Sequence, residues 1–393
     1  QILRVVFNTA MCGYPESLTD PSYRGQILVL TFPLIGNYGV PGDDRDEYGL
    51  LKYFESEDIH VAGVVVSSYS GYYSHWNASR SLGAWLREHN IPAITGVDTR
   101  AITKALRESG SMLGKILQAG EDVEYRDPNK DNLLAEVSRK EPKTYNAGGY
   151  PRIIAYDCGM KNNIIREFLK RQVELTVVPY DFDISQLEQD RFDGVFVSNG
   201  PGDPALATPT IENIRKVLEM TRPSPVVEAS HPGAAPRPRV HVPFFGICLG
   251  NQLLAHAIGA KTYKMKYGNR GVNQPCVDLR TTQCYITSQN HGFAVDNNTL
   301  PDGWKPLFMN ANDYSNEGII HLAKPFYSVQ FHPEACAGPR DTTFLFDNFI
   351  QTIVQDRVNH SLVTPAMYHI QAVRKCVLIG SGGLSIGQAG EVF

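Results

Sequence analysis

The chain's 393 residues, 42% hydrophobic and 20% charged, suffice for two or three domains with their own apolar cores and exclude overall disorder. A net charge of −4 with no block of like charge gives no electrostatic reason to bind nucleic acid or an anionic membrane. Seven cysteines (12, 158, 248, 276, 284, 336 and 376) form no Cys-x-x-Cys pair, which speaks against a zinc site or disulfide framework and for a reducing compartment, and no apolar run reaches the roughly 18 residues of a membrane span.

In chain order, "QILRVVFNTAMCGYP" reads as the inside of a strand entering a turn, not as a signal or transit peptide, so any targeting segment is expected upstream. Residues 1–145 alternate short apolar runs ("ILVLTFPLIG", "VAGVVVSSY", "IPAITGVDT") with turn signals and helical patterns at 80–88 and 100–109, a mixed α/β domain. "EPKTYNAGGYPR" (141–152) has the composition of a linker. Over 151–355 the rhythm becomes strand, helix, strand, strand, helix, which predicts an α/β domain with a central, mostly parallel sheet flanked by helices. Such sheets carry their sites at the carboxyl ends of strands, where "VSNGPGDP" and "GICLGNQ" both fall.

The stretch 222–243, with six prolines and no periodicity, is expected to be a flexible insertion. Residues 356–374 read as an interdomain linker. From 375 to 393, "KCVLIGSGGLSIGQAGEVF" opens a strand and glycine-rich turn that these residues do not complete; with Ser385 in the place of a third glycine, it is only a partial dinucleotide fingerprint.

Gly246-Ile-Cys248-Leu-Gly250 joins a buried strand pattern to a helical one, the geometry of a nucleophile elbow. The glycines permit a strained turn, the helix N-terminus favours thiolate, and the N–H of Leu249 can face a developing oxyanion. This predicts a lowered Cys248 pKa and alkylation of Cys248 ahead of the other six thiols, and it suits acyl transfer through a thioester. The alternative is a buried small hydrophobe. A base is offered by "YSVQFHPEACAG": proline holds His332 extended, so His332 and Glu334 share a face, and the carboxylate can orient the imidazole. Taken alone, His-Pro-Glu reads as a surface turn. His291 ranks second as base because it is expected to lack a neighbouring carboxylate; His75 and His256 read as packing or surface residues.

Together these residues resemble the class I (triad) glutamine amidotransferases. "FNTAMCGYPESLTDPSYRGQILVLTFPLIGNYG", "GVDTRAITKALRESGSMLGKI", "VSNGPGDP", "GICLGNQLLA", "NRGVNQP", "SQNHGFAV" and "VQFHPE" narrow the resemblance to the glutaminase portion of carbamoyl-phosphate synthase, over nearly all of 5–355. "VLIGSGGLSIGQAGE" resembles the opening of the synthetase portion, as in fused polypeptides. The resemblance implies that Cys248 attacks the side-chain amide of L-glutamine, that His332 with Glu334 carries the proton, and that ammonia passes to synthetase domains, in cis or as a subunit, for the pyrimidine or the arginine and urea pathway. It further implies oxyanion donors at Gly200 and Leu249 and glutamine contacts at Ser22, Gly202, Gln252, Asn290, Gly292 and Phe293. No metal or cofactor is expected for the glutaminase step; ATP and Mg belong to the absent synthetase part.

Three features depart from the family pattern. Asn251 stands where many glutaminase-active members have histidine, a feature of the mitochondrial ammonia-linked branch, in some members of which the nucleophile is missing. The ending "GEVF" and the 222–243 insertion bear on gene boundaries and leave the triad intact. The principal rival is a degenerate glutaminase kept as a regulatory or interaction domain; another amidotransferase and a cysteine peptidase are further alternatives. An intracellular setting is expected, the cytoplasm first and the mitochondrial matrix second.

Overall fold

The computed structural model describes residues 2–117, 127, 131–224 and 239–355. The 356–374 linker and the 375–393 synthetase-like start lie outside these residues. The strands are β1 (Ile2–Asn8), β2 (Gln26–Leu30), β3 (Gly63–Val66), β4 (Ala93–Ile94), β5 (Met112–Lys115), β6 (Lys143–Tyr145), β7 (Arg152–Asp157), β8 (Glu174–Pro179), β9 (Gly194–Val197), β10 (Thr221–Pro223), β11 (Arg239–His241), β12 (Phe244–Ile247), β13 (Thr262–Asp278), β14 (Cys284–Val295), β15 (Trp304–Asn310), β16 (Asn316–His321) and β17 (Phe326–Val329). The helices are α1 (Tyr14–Leu18), α2 (Leu82–Glu88), α3 (Thr99–Ser109), α4 (Leu133–Val137), α5 (Asn162–Leu169), α6 (Thr208–Glu219), α7 (Leu249–Ala257) and α8 (Phe344–Gln355).

The N-terminal apolar runs form a sheet of order β4-β3-β2-β1-β5, parallel except where β5 runs against β1. Alternate residues face two cores. Leu28, Val64 and Val66 pack under Leu82, Trp85 and Leu86 of α2, while Phe7, Val29 and Val65 meet Leu106 of α3. Both helices start where a side chain caps them: Ser81 accepts from the Ala84 N–H and Asp98 from the Ala101 N–H.

The second sheet has the order β14-β13-β15-β16-β17-β12-β9-β7-β8-β6. Its parallel part is the five neighbours β17, β12, β9, β7 and β8; β6 closes one edge antiparallel, and β16, β15, β13 and β14 extend the other as an antiparallel meander. Both faces of the parallel part are covered, so its strands are apolar along most of their length, with polar residues mainly at the ends of β7 and β8. Ile153, Ala155, Phe196 and Phe245 face α5 and α8; Ile154, Tyr156, Val195, Val197 and Phe244 face α6 and α7.

Two stretches read as loops contain strands. Within 141–152, Lys143–Tyr145 pairs with Leu175–Val177, because an edge strand needs only a few hydrogen bonds and no apolar alternation. The ends of the proline-rich stretch pair with each other, Thr221–Pro223 against Arg239–His241; 225–238 are not among the described residues. Proline is tolerated there because the ribbon has only two strands.

Phe168 of α5 sits at the centre of the first of these faces, with edge-to-face contacts to Phe196 (5.0 Å) and Phe346 (5.1 Å). Phe168→Ala is expected to cost about 3–5 kcal/mol, read as a lower urea midpoint with unchanged slope; a loss below about 1 kcal/mol would show that this core can collapse around the void.

Candidate active site

Cys248 is the first residue beyond β12 and caps α7, with φ 56° and ψ −102°, a backbone state unfavourable to any side chain. Its N–H donates to the Val329 carbonyl at 2.8 Å, and the Gly250 N–H to that of Ser198 at 3.1 Å. The flanking glycines are required by close approach. A Cβ on Gly250 would lie 2.3 Å from the Val197 oxygen, and one on Gly246 2.7 Å from the Gly250 oxygen. Gly200, on the neighbouring turn after β9, is tighter still, 2.0 Å from the Cys158 oxygen.

Strand β17 runs parallel beside β12, with Ile247 opposite Val329, so the chain leaving β17 emerges next to Cys248. His332 and Glu334 lie there, past the strand end, His332 in an irregular segment and Glu334 in a turn. The turn brings His332 Nδ1 to 2.7 Å from Glu334 Oε1. The same oxygen receives Lys161 Nζ at 2.7 Å, and Asn163 donates to the Glu334 carbonyl. Burial alone would raise the Glu334 carboxyl, but Lys161 and His332 hold it down to about 2. Burial would likewise lower the Lys161 ammonium, which Glu334, Asp20 and Glu55 instead raise above the ordinary lysine range. An ionised Glu334 can only accept, so His332 Nδ1 carries the proton of that contact. His332 Nε2 is buried and has no hydrogen-bond partner among the described residues.

Cys248 opens into a cavity lined by Ser22, Gly200, Gly202, Gln252, Asn290, Gly292 and Phe293, with Arg4 and Arg270 among the other walls. Leu249 presents its N–H to the cysteine sulfur. His332 lines a neighbouring cavity, and Asn290 belongs to both. Asn290 accepts from the Cys248 thiol through its carbonyl (3.7 Å) and donates through its amide to Asp20 (3.1 Å). Ser22 Oγ is held by Asn199 Nδ2 at 2.9 Å. The two cavities differ in charge: arginines line the first, whereas Glu16, Asp20 and Glu55 outnumber Lys161 in the second.

The expected thiolate is not the resting state. Burial raises the Cys248 thiol above the ordinary cysteine range, Asp20 and Glu334 add to this, and Lys161 and the Leu249 N–H oppose it. One helix terminus does not offset full desolvation. His291 needs a second correction: a carboxylate does neighbour it, Glu317 Oε1 at 3.6 Å from Nε2, brought by β16. Its Nδ1 bonds the Phe293 carbonyl at 2.9 Å, so the ring supports the cavity wall. His256 bonds Thr262 at 2.9 Å, and His75 is exposed.

Sequence reasoning missed Lys161, Asp20 and Arg270. Lys161 follows β7 in "GMKNN", a strand-end position that could have flagged it. Arg270, in "NRGVNQP", is a buried guanidinium with an unpartnered Nε; burial lowers its pKa. Among the described residues no helix is long and apolar enough to cross a membrane, and no cluster of three or more His, Cys, Asp or Glu is arranged to hold a metal.

Comparison with known proteins places a carbamoyl-phosphate synthase small-chain domain at residues 2–116 and a class I glutamine amidotransferase domain at 154–226 and 230–352. The mitochondrial carbamoyl-phosphate synthase (ammonia) of Mus musculus is 50% identical over 392 residues, which are 98% of this chain and 25% of that protein. Multifunctional protein CAD of Squalus acanthias is 51% identical over 412 residues, and multifunctional protein pyr1-3 of Dictyostelium discoideum 51% over 406, each match covering 98% of this chain and 17% of the relative. The chain thus spans a quarter or less of the length of these relatives.

Two outcomes are expected. In the resting protein, iodoacetamide at neutral pH should modify the exposed Cys12, Cys284 and Cys336 before Cys248, read by peptide mass spectrometry; a glutamine-shaped electrophile should reverse the order. Glu334→Gln leaves Lys161 without its closest counter-charge and should cost about 3–5 kcal/mol. Since the folded-state pKa is depressed from 4.5 to about 2, the contribution of Glu334 is full above pH 4.5 and is lost as pH falls towards 2. Chemical denaturation of wild type and variant across that window should therefore converge.

Proposed function

Because the chain joins these two domains and so belongs to the family of carbamoyl-phosphate synthase small chains with a class I glutamine amidotransferase domain, we propose that it hydrolyses L-glutamine through a thioester on Cys248 and delivers ammonia to synthetase domains that form carbamoyl phosphate. The observation that carries this reading is the 2.7 Å contact between His332 Nδ1 and Glu334 Oε1. That Nδ1 is tied to an ionised Glu334, which directs Nε2 away from the carboxylate, at the sheet edge where Cys248 is held in a strained turn.

In the proposed reaction the substrate enters the arginine-lined cavity with its α-carboxylate towards Arg270 and its carboxamide at Cys248. As Sγ attacks the amide carbon, His332 Nε2 takes the thiol proton, so no standing thiolate is needed. The carbonyl oxygen becomes an oxyanion facing the N–H groups of Leu249 and Gly200. The C–N bond breaks as the proton passes from Nε2 to the departing nitrogen, giving ammonia and a glutamyl thioester. Water, deprotonated by the same Nε2, cleaves the thioester to glutamate and restores the thiol. Ser22, Gly202, Gln252, Asn290, Gly292 and Phe293 hold the amino-acid end. ATP and Mg serve the synthetase domains, supplied in cis or as a subunit.

The test is glutamate and ammonia release by the chain. Cys248→Ala is expected to abolish it, and His332→Asn to lower kcat by at least about 10³-fold. Arg270→Gln should raise KM for glutamine about 10- to 100-fold with kcat little changed, the signature of lost ground-state binding. Hydrolysis that survives Cys248→Ala would refute the reading.

A further inference from the structure

We propose that Gln330 is a positioning residue: its side-chain oxygen turns the Gln252 carboxamide so that the oxygen of Gln252, not its nitrogen, faces the Cys248 cavity and selects for the α-ammonium group of the substrate. The proposal rests on the glutamine site above and adds a residue that touches no substrate.

The argument starts from one main-chain carbonyl. The terminal atom of Gln252 that lies 3.1 Å from the Phe293 oxygen must be nitrogen, because a carbonyl only accepts. That same nitrogen lies 3.0 Å from a terminal atom of Gln330, which must therefore be oxygen. The Gln330 oxygen receives a second donor at 3.2 Å, which fixes Nδ2 of Asn251 and leaves Oδ1 of Asn251 to accept from Ser328 Oγ at 2.8 Å. Orientation thus propagates from Phe293 through Gln252 and Gln330 to Asn251; flipping Gln252 or Gln330 would break two bonds, and flipping Asn251 the one to Gln330, since the Ser328 hydroxyl can also accept.

Both hydrogens of the Gln252 amide are consumed inside the protein. Its Oε1 has no partner among the described residues, and Gln252 lines the cavity. The site therefore presents a pure acceptor, complementary to an ammonium group. Gln330 is wholly buried, and its own Nε2 has no partner among the described residues. An unsatisfied buried N–H is a standing cost, accepted here because the opposite orientation would set nitrogen against nitrogen at both contacts. Asn251 fits the relay because it offers a donor to Gln330 and an acceptor to Ser328 at once.

The experiment measures binding by calorimetry to the 393-residue chain carrying Cys248→Ala, so that turnover does not intervene, with L-glutamine and glutaramate, the analogue lacking the α-ammonium. The parent is expected to prefer glutamine about 10- to 100-fold, the worth of one buried charge-assisted hydrogen bond. Adding Gln330→Met should reduce the preference to within about threefold by weakening glutamine alone, with glutaramate affinity unchanged within twofold. Gln330→Glu keeps an acceptor facing Gln252 and should retain the preference; it carries the test if the methionine variant does not fold. The proposal is overturned if Gln330→Met keeps the preference, or if a folded Gln330→Glu loses it. A parent that binds both ligands equally also overturns it, whereas failure to bind either removes the glutamine site itself and this inference with it.

Discussion

The site depends on the in-register parallel pairing of β12 with β17. Phe244 to Ile247 lie opposite Phe326 to Val329, and the next N–H, that of Cys248, closes the ladder on the Val329 carbonyl. Both strands therefore end at one level, and the chains leaving them must turn away side by side. One turn holds the sulfur, the other the imidazole and its carboxylate. The positive φ of Cys248 is tolerable because the ladder, the glycine contacts and the two apolar faces over-determine it: the backbone around Gly246 and Gly250 has no room for an alternative path.

A second constraint is charge. Lys161 and Glu334 are buried together, a pairing whose desolvation would be hard to offset without further partners. Asp20 and Glu55, from the N-terminal part of the chain, add their negative charge around Lys161, and the same part is tied to α5 where Glu55 accepts from the Asn163 N–H (3.0 Å) and Asn162 Nδ2 donates to the Phe54 carbonyl (3.1 Å). Ser22 reaches the cavity wall from the same loop as Asp20. The N-terminal unit thus supplies walls to both cavities, through Asp20 and Glu55 in one and Ser22 in the other.

Much of this was legible in sequence because the signals are local. The glycine-cysteine-glycine turn, the His-Pro-Glu triplet and the alternation that covers both faces of β7, β9 and β12 each lie within a few residues. What was not legible depends on distant burial. The elbow's helix terminus pointed to a thiolate, but desolvation by parts of the chain remote from residue 248 wins and keeps a thiol. His291 had no acidic neighbour until β16 carried in Glu317. Lys161 and Arg270 look like ordinary surface cations until the fold encloses them. Strands β6, β10 and β11 were hidden in Gly- and Pro-rich segments because short edge pairing leaves no apolar pattern to read.

The central claim, that the turn after β12 and the turn after β17 act as one nucleophile and base, is tested most directly by trapping. The chain is mixed with isotope-labelled glutamine, quenched in acid within a turnover, and digested for mass spectrometry. The account predicts a labelled glutamyl group on the peptide containing Cys248 and on no other cysteine peptide. A label on another residue, or sustained glutamine hydrolysis without any acyl group on Cys248, would contradict it.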